Sequence, residues 1–98
     1  LSGKMISAHK AEKYGLLNSV FKSEELEEKT LELAQTIAEK STFAIKRAKK
    51  SIKAALTMKL NQGLKYEQEL FIDCFKSKDG KEGIQAFIEK RKPKFKGK

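Results

Sequence analysis

Scarcity sets the first limits on this 98-residue chain: one cysteine, one proline, one histidine and no tryptophan. With Cys74 alone, no disulfide can form within the chain, and a reducing, cytoplasmic compartment is the expected setting. A metal centre needs several converging soft or carboxylate ligands. His9 and Cys74 are the only ligands of their kinds and stand 65 positions apart, so no metal site is expected. The six glycines are scattered singly, which excludes a glycine-rich phosphate loop. Apolar runs are only a few residues long, so neither a membrane-crossing helix nor a signal peptide is expected. No internal repeat or low-complexity stretch is visible.

Charge is what the chain has in quantity. Charged residues make up 36%, and the net charge is +9. From residue 81 to 98 seven basic residues oppose Glu82 and Glu89, so +5 of that +9 lies in the last fifth of the sequence. Such a balance favours polyanionic partners, whether nucleic acid, an anionic membrane or a phosphorylated small molecule.

Local signals predict a mostly α chain with about five helices and at most one short strand. Ser7 caps a helix from Ala8 to Tyr14, ended by Gly15 in a left-handed conformation. Leu16 to Phe21 is short and partly β-branched and reads as the one strand, with no partner in sight. Ser23 caps a second helix whose first turn holds Glu24 and Glu25, where carboxylates oppose the helix dipole. Its apolar face comprises Leu26, Leu33, Ala34, Ile37 and Ala38. Ser41 or Thr42 caps a third helix over 44–56, with Ile45, Ala48, Ile52, Ala55 and Leu56 as its apolar stripe and Arg47 mostly opposite. A fourth helix runs over 60–76 with a broad apolar arc built on Leu60, Leu64, Phe71, Cys74 and Phe75 and widened by Tyr66 and Leu70, broad enough to meet more than one neighbour. Residues 77–80 read as a turn. A last helix follows over 81–90, with Ile84, Phe87 and Ile88 on one face, and Pro93 stops it. The tail 94–98 is too short and polar to fold alone.

Few side chains suggest chemistry. His9 lies in a charged helix and reads as a solvated surface residue. Cys74 reads as a small core residue. Glu67 falls within the apolar arc of the fourth helix, where a carboxylate must be paired or lose its hydration. The preferred reading is structural: a partly buried carboxylate paired with a cation, Lys49 of the third helix being the candidate, or with backbone N–H groups at a helix end. In that case Glu67→Gln destabilises the chain; an acid/base role is the lesser one. The basic tail with Phe87 and Phe95 suits nucleic acid, although no nucleic-acid module accompanies it.

Four passages, in order, carry a resemblance. Leu1-Ser2-Gly3-Lys4-Met5-Ile6-Ser7-Ala8, then Ala11-Glu12 and Tyr14-Gly15-Leu16-Leu17-Asn18-Ser19-Val20, resembles "LTGxxISAxxAxxxGLVNxVV". Ala44 to Lys49 is similar to "AIKxAK", Gly63 to Phe71 to "GLxxExELF", and Lys81 to Phe95 to "KEGxxAFxEKRKPxF". Together they identify the chain with the crotonase, or enoyl-CoA hydratase/isomerase, superfamily. A departure is Lys59, where a capping Ser or Thr is common.

The resemblance implies that residues 1–98 are the C-terminal helical, trimerisation-type segment of a crotonase-like α/β spiral subunit. A chain opening at Leu1-Ser2-Gly3 fits a piece of a longer one. The family's oxyanion-hole amides and catalytic glutamates precede the first passage, so no catalytic residue is expected here, and Glu67 does not take that role. The full subunit would hydrate trans-2-enoyl-CoA, or act as a close isomerase relative, since the residues that separate the two precede this segment. Acyl-CoA would be its substrate, with no cofactor, and it would associate as trimers or hexamers. By the same resemblance Phe87 and Lys90, three positions apart on the last helix, contact the adenosine and phosphate end of CoA. The competing reading is a non-enzymatic basic helical module, binding nucleic acid. The family reading needs neither nucleic acid nor membrane as partner.

Overall fold

The computed structural model describes residues 3–98. Leu1 and Ser2, which open the first matched passage, lie outside them. The described residues form five helices and no strand: α1 (Ala8–Lys13), α2 (Ser23–Ala38), α3 (Thr42–Ala55), α4 (Leu60–Lys76) and α5 (Lys78–Ile88). The chain divides into two compact units, Leu1–Gln35 and Thr36–Lys98.

In the first unit, Ser7 caps α1 by accepting from the Lys10 amide. The helix closes as the sequence predicts. Gly15 sits at φ +73°, its N–H donates to the Glu12 carbonyl, and the Leu16 N–H donates to the Ala11 carbonyl. Those bonds explain why residues 16–21 form no strand. The Leu16 amide is taken by the end of α1, and the Val20 amide donates to the Glu12 carboxylate at 3.1 Å. With no partner strand to supply a ladder, local acceptors take the donors.

In the second unit α3 packs on α4 and α4 on α5. Ser41 caps α3, its hydroxyl accepting from the Ala44 amide. Lys59 precedes α4 without any side-chain cap, as its departure from the family pattern suggests. The predicted turn over 77–80 is instead a cap and the first turn of α5. Ser77 ends α4 and begins α5, its hydroxyl oxygen accepting from the Gly80 amide at 2.9 Å and its O–H donating to the Cys74 carbonyl. Gly80 permits this tight junction, because a Cβ there would run into the Cys74 and Phe75 carbonyls.

Only part of each expected apolar stripe is covered: on α4 the Tyr66, Leu70 and Cys74 side of the broad arc, on α3 the half-buried Ile45, and on α5 none of its large residues. On α4, Leu70 is buried at 8% exposure and Gly63, Tyr66 and Cys74 are half-buried, whereas Leu60, Leu64, Phe71 and Phe75 are exposed. On α3 the covered line is Ala44, Arg47, Ser51 and Ala54, while Ile52 and Leu56 face out. On α5 it is Asp79, Glu82, Gly83 and Ala86, while Ile84, Phe87 and Ile88 face out. On α3 and α5 a line of small or polar residues at three- and four-residue spacing is covered while most of the large apolar side chains are not; on α4 the covered line includes Tyr66 and Leu70. Small side chains let helix backbones approach closely, so these lines make the closest contacts.

Candidate functional site

The densest polar cluster of the second unit lies along α5, where residues 91–98 fold back over the helix. At its C-terminus the Lys90 N–H donates to the Phe87 carbonyl and the Arg91 N–H to the Ala86 carbonyl, the same closing pattern as at α1. Here the left-handed position is taken by Lys90, at φ +52°, the one non-glycine residue with positive φ among the described residues. A side chain in that conformation costs about 1–2 kcal/mol.

The returning strap is held at three levels of one α5 face. Arg91 forms a two-pronged pair with Glu82, Nη1 to Oε1 at 2.6 Å and Nη2 to Oε2 at 3.1 Å, and its Nε donates to Glu89. The Lys94 amide donates to the same Glu82 carboxylate at 2.7 Å. One turn away Phe95 lies over Gly83, where a Cβ would sit 3.6 Å from its ring. At the start of α5, Asp79 Oδ1 accepts from the Lys96 amide at 2.7 Å, and both its oxygens accept from the Gly97 amide. Its Oδ2 also accepts from the Ser41 hydroxyl, and its own N–H donates to the Lys98 carbonyl at 2.9 Å.

Asp79 is 3% exposed. Burial pushes its carboxyl up, but hydrogen bonds from the Ser41 hydroxyl and the Lys96 and Gly97 amides outweigh that and hold it below the ordinary aspartate range. Glu82, hydrogen-bonded by the Arg91 guanidinium and then by the Lys94 amide, is lowered to about 2. Arg91 is raised in turn by Glu82 and then Glu89.

Two clefts flank the strap and share Phe95. One, of about 400 Å³, is mainly apolar, with Ala44, Ile84, Phe87 and Phe95 on its walls and Asp79 at its base. The other, of about 760 Å³, is rimmed by Lys40, Lys92, Lys94 and Lys96. A third, smaller cleft follows the α3–α4 seam past Arg47, Glu67 and Cys74.

Of the two residues assigned to the CoA end, Phe87 stands in the last turn of α5 and Lys90 beyond its end. Lys90 is not on the helix as the sequence suggests, because the left-handed turn there closes α5 at Ile88. Phe87 is 85% exposed, on the wall of the apolar cleft; Lys90 is exposed at the helix terminus. The reading of Glu67 is overturned. Glu67 and Lys49 are both exposed, and the side chain of neither has a partner among the described residues. Glu67 borders the open cleft along the α3–α4 seam, where its carboxylate stays exposed, keeps its water and needs no ion pair. The cation at the seam is Arg47, its guanidinium 3.5 Å from the centroid of the Phe43 ring and 3.9 Å from Asp73. His9 is exposed and Cys74 half-buried at the seam. The described residues hold no cluster of metal-ligating side chains, and no described helix is long and apolar enough to cross a membrane.

Asp79, Ser41 and Gly97 escaped the sequence reading as a cluster. The only hint was the Ser77-Lys78-Asp79-Gly80 run, which fits a capped helix start as well as a turn.

Comparison with known proteins bears on what this arrangement serves. The family model described as enoyl-CoA hydratase/isomerase matches residues 1–98. The mitochondrial enoyl-CoA hydratase of Pongo abelii is 42% identical over 96 residues, which is 98% of this chain and 33% of that protein. The 2,3-dehydroadipyl-CoA hydratase of Escherichia coli (strain K12) is 39% identical over 97 residues, covering 99% of this chain and 38% of that protein. A crystal structure of an enoyl-CoA hydratase from Bacillus anthracis superposes with a TM-score of 0.88 at 40% identity, over 95% of this chain and 36% of that one. The chain thus spans about a third of the length of the curated relatives it matches.

Proposed function

The chain belongs to the enoyl-CoA hydratase/isomerase family, and from that we propose that it is the C-terminal helical segment of an enoyl-CoA hydratase subunit. That subunit adds water across the double bond of a trans-2-enoyl-CoA to give the 3-hydroxyacyl-CoA, in a reaction of the fatty-acid β-oxidation type. This segment supplies part of the CoA site and surfaces for association, and no catalytic residue. Its large apolar stripes, including Leu64, Phe71 and Phe75, meet the rest of the subunit and its neighbours in a homotrimer or hexamer. The single cysteine keeps the cytoplasm as its expected compartment.

The observation that carries the reading is Phe87. A phenylalanine left 85% exposed on a cleft wall, three positions before an exposed lysine just past the helix end, offers a flat apolar face with a cation close by in the chain. An adenine ring and its phosphates present the matching surfaces. The left-handed backbone of Lys90 adds to this, because strain of that kind collects where a side chain must be aimed.

The test is steady-state kinetics of the full subunit with a short trans-2-enoyl-CoA. Phe87→Ala and Lys90→Met each raise KM by roughly tenfold with kcat little changed, the pattern of lost uniform binding. The 98-residue segment alone gives no turnover above buffer. Unchanged KM in both variants, or turnover by the segment, overturns the reading. A nucleic-acid-binding module is the second reading, favoured by the lysine-rimmed cleft. Tight, strongly salt-dependent binding of an oligonucleotide would support it instead.

A further inference from the structure

Phe95 forms one wall of the cleft in which Phe87 stands, yet it belongs to a strap with no secondary structure of its own. A phenylalanine there is placed only as well as its backbone is held. On one side the Glu82–Arg91 pair and the Lys94 amide fix the strap. Beyond Phe95, the strap's hydrogen bonds meet at a single buried residue, Asp79.

Asp79 gathers the hydroxyl of the α3 cap, two consecutive strap amides and, through its own N–H, the Lys98 carbonyl. It therefore joins the start of α3, the start of α5 and the end of the strap. We infer that Asp79 is a positioning residue for the CoA site: it holds the 92–98 strap so that Phe95 faces Phe87 across the cleft that takes the nucleotide end of the ligand. This rests on the CoA reading of Phe87 given above. Asp79 lines the cleft, but both its oxygens are taken by the Ser41 hydroxyl and the strap amides, so it acts through Phe95.

Gly97 gives an independent handle on the same device. It sits at φ +75°, and a Cβ there would lie 2.5 Å from Thr42 Oγ1. Gly97→Ala displaces the end of the strap, and with it one donor to Asp79, while leaving the carboxylate side chain in place. Asp79→Asn retains one oxygen for the strap amides and a donor for Ser41, so its effect falls between those of the parent and Asp79→Ala.

The experiment uses the full subunit and two esters of the same short trans-2-enoyl acid, one with CoA and one with pantetheine, which lacks the nucleotide end. KM and kcat are measured for each. Asp79→Ala and Gly97→Ala are expected to raise KM roughly tenfold for the CoA ester alone, with Asp79→Asn intermediate and kcat for the pantetheine ester unchanged. Phe87→Ala is the reference. If it loses discrimination between the esters while folded Asp79→Ala and Gly97→Ala keep it, the positioning role is wrong and the CoA reading stands. If both esters lose KM or kcat alike in the two strap variants, Asp79 is merely structural and the inference fails. If Phe87→Ala itself keeps full discrimination, the CoA reading fails and takes this inference with it. Where either strap variant does not fold, a chain ending after Arg91 replaces it, retaining the Glu82–Arg91 pair and removing the strap; the same outcomes decide.

Discussion

Leu70 and Phe71 are neighbours on α4, yet one is 8% and the other 67% exposed. The same division runs along α3 and α5. Apart from Leu70 and Tyr66 on α4, the inward lines are built mostly of alanine, glycine, serine and a few tied charges, and the outward lines mostly of isoleucine, leucine and phenylalanine. In a self-sufficient bundle the larger apolar stripe turns inward, because it gains most from leaving water. Here the inward contacts set how the helices approach one another, and the outward stripes remain as surface for something else to cover. Order within the second unit therefore comes from close approach and a few buried hydrogen bonds more than from a large core.

The sharpest way to break that comparison is to truncate both neighbours. Leu70→Ala is expected to destabilise the chain by about 2–4 kcal/mol in urea unfolding, and Phe71→Ala by less than about 1 kcal/mol. Equal losses would mean that the outward stripe is buried within the chain after all. Next in size is Asp79→Ala. It removes the common acceptor of the Ser41 hydroxyl and the Lys96 and Gly97 amides, and it costs about 2–3 kcal/mol with faster exchange of those two amides. An unchanged exchange rate would detach the strap from this carboxylate.

Acid separates the strap from the seam. The Glu82 carboxyl is lowered from its ordinary 4.5 to about 2 by Arg91 and Lys94. A group depressed in the folded state stabilises fully above its unfolded pKa and loses that contribution as pH falls through the folded one. Amide signals of Arg91 and Lys94 should hold their positions at pH 5 and shift as pH drops from about 4.5 towards 2, before the α3–α4 seam opens. Simultaneous loss of both regions would contradict this.

Lys90→Gly should be a smaller and opposite change. Glycine relieves the left-handed position and raises stability by about 1 kcal/mol, while the same change weakens the CoA ester if the lysine meets a phosphate. A gain in stability without a rise in KM would leave Lys90 a structural oddity. The smallest effect belongs to Glu67→Gln, within about 0.5 kcal/mol in thermal unfolding, since the carboxylate is exposed and without a side-chain partner among the described residues.

The helices and several of their ends were legible in the residues alone because their causes are local. Ser7, Ser41 and Gly15 cap or close helices through atoms three to five residues away, and apolar periodicity marks each helix wherever it is packed. Family membership was legible for a similar reason, since four passages keep their order and spacing along the chain. Which stripe turns inward was not, because amphipathicity says that a face will be covered and not by what; Glu67 was misplaced on that account. The Asp79 cluster was out of reach of any local rule. Its donors, Ser41, Lys96 and Gly97, stand 38, 17 and 18 positions away, and nothing in a linear pattern brings a serine cap, an aspartate and a returning tail to one point. Only the packing of α3 and α5 about α4 and the fold-back of the strap decide that, and the same packing leaves Phe87 standing open beside Phe95.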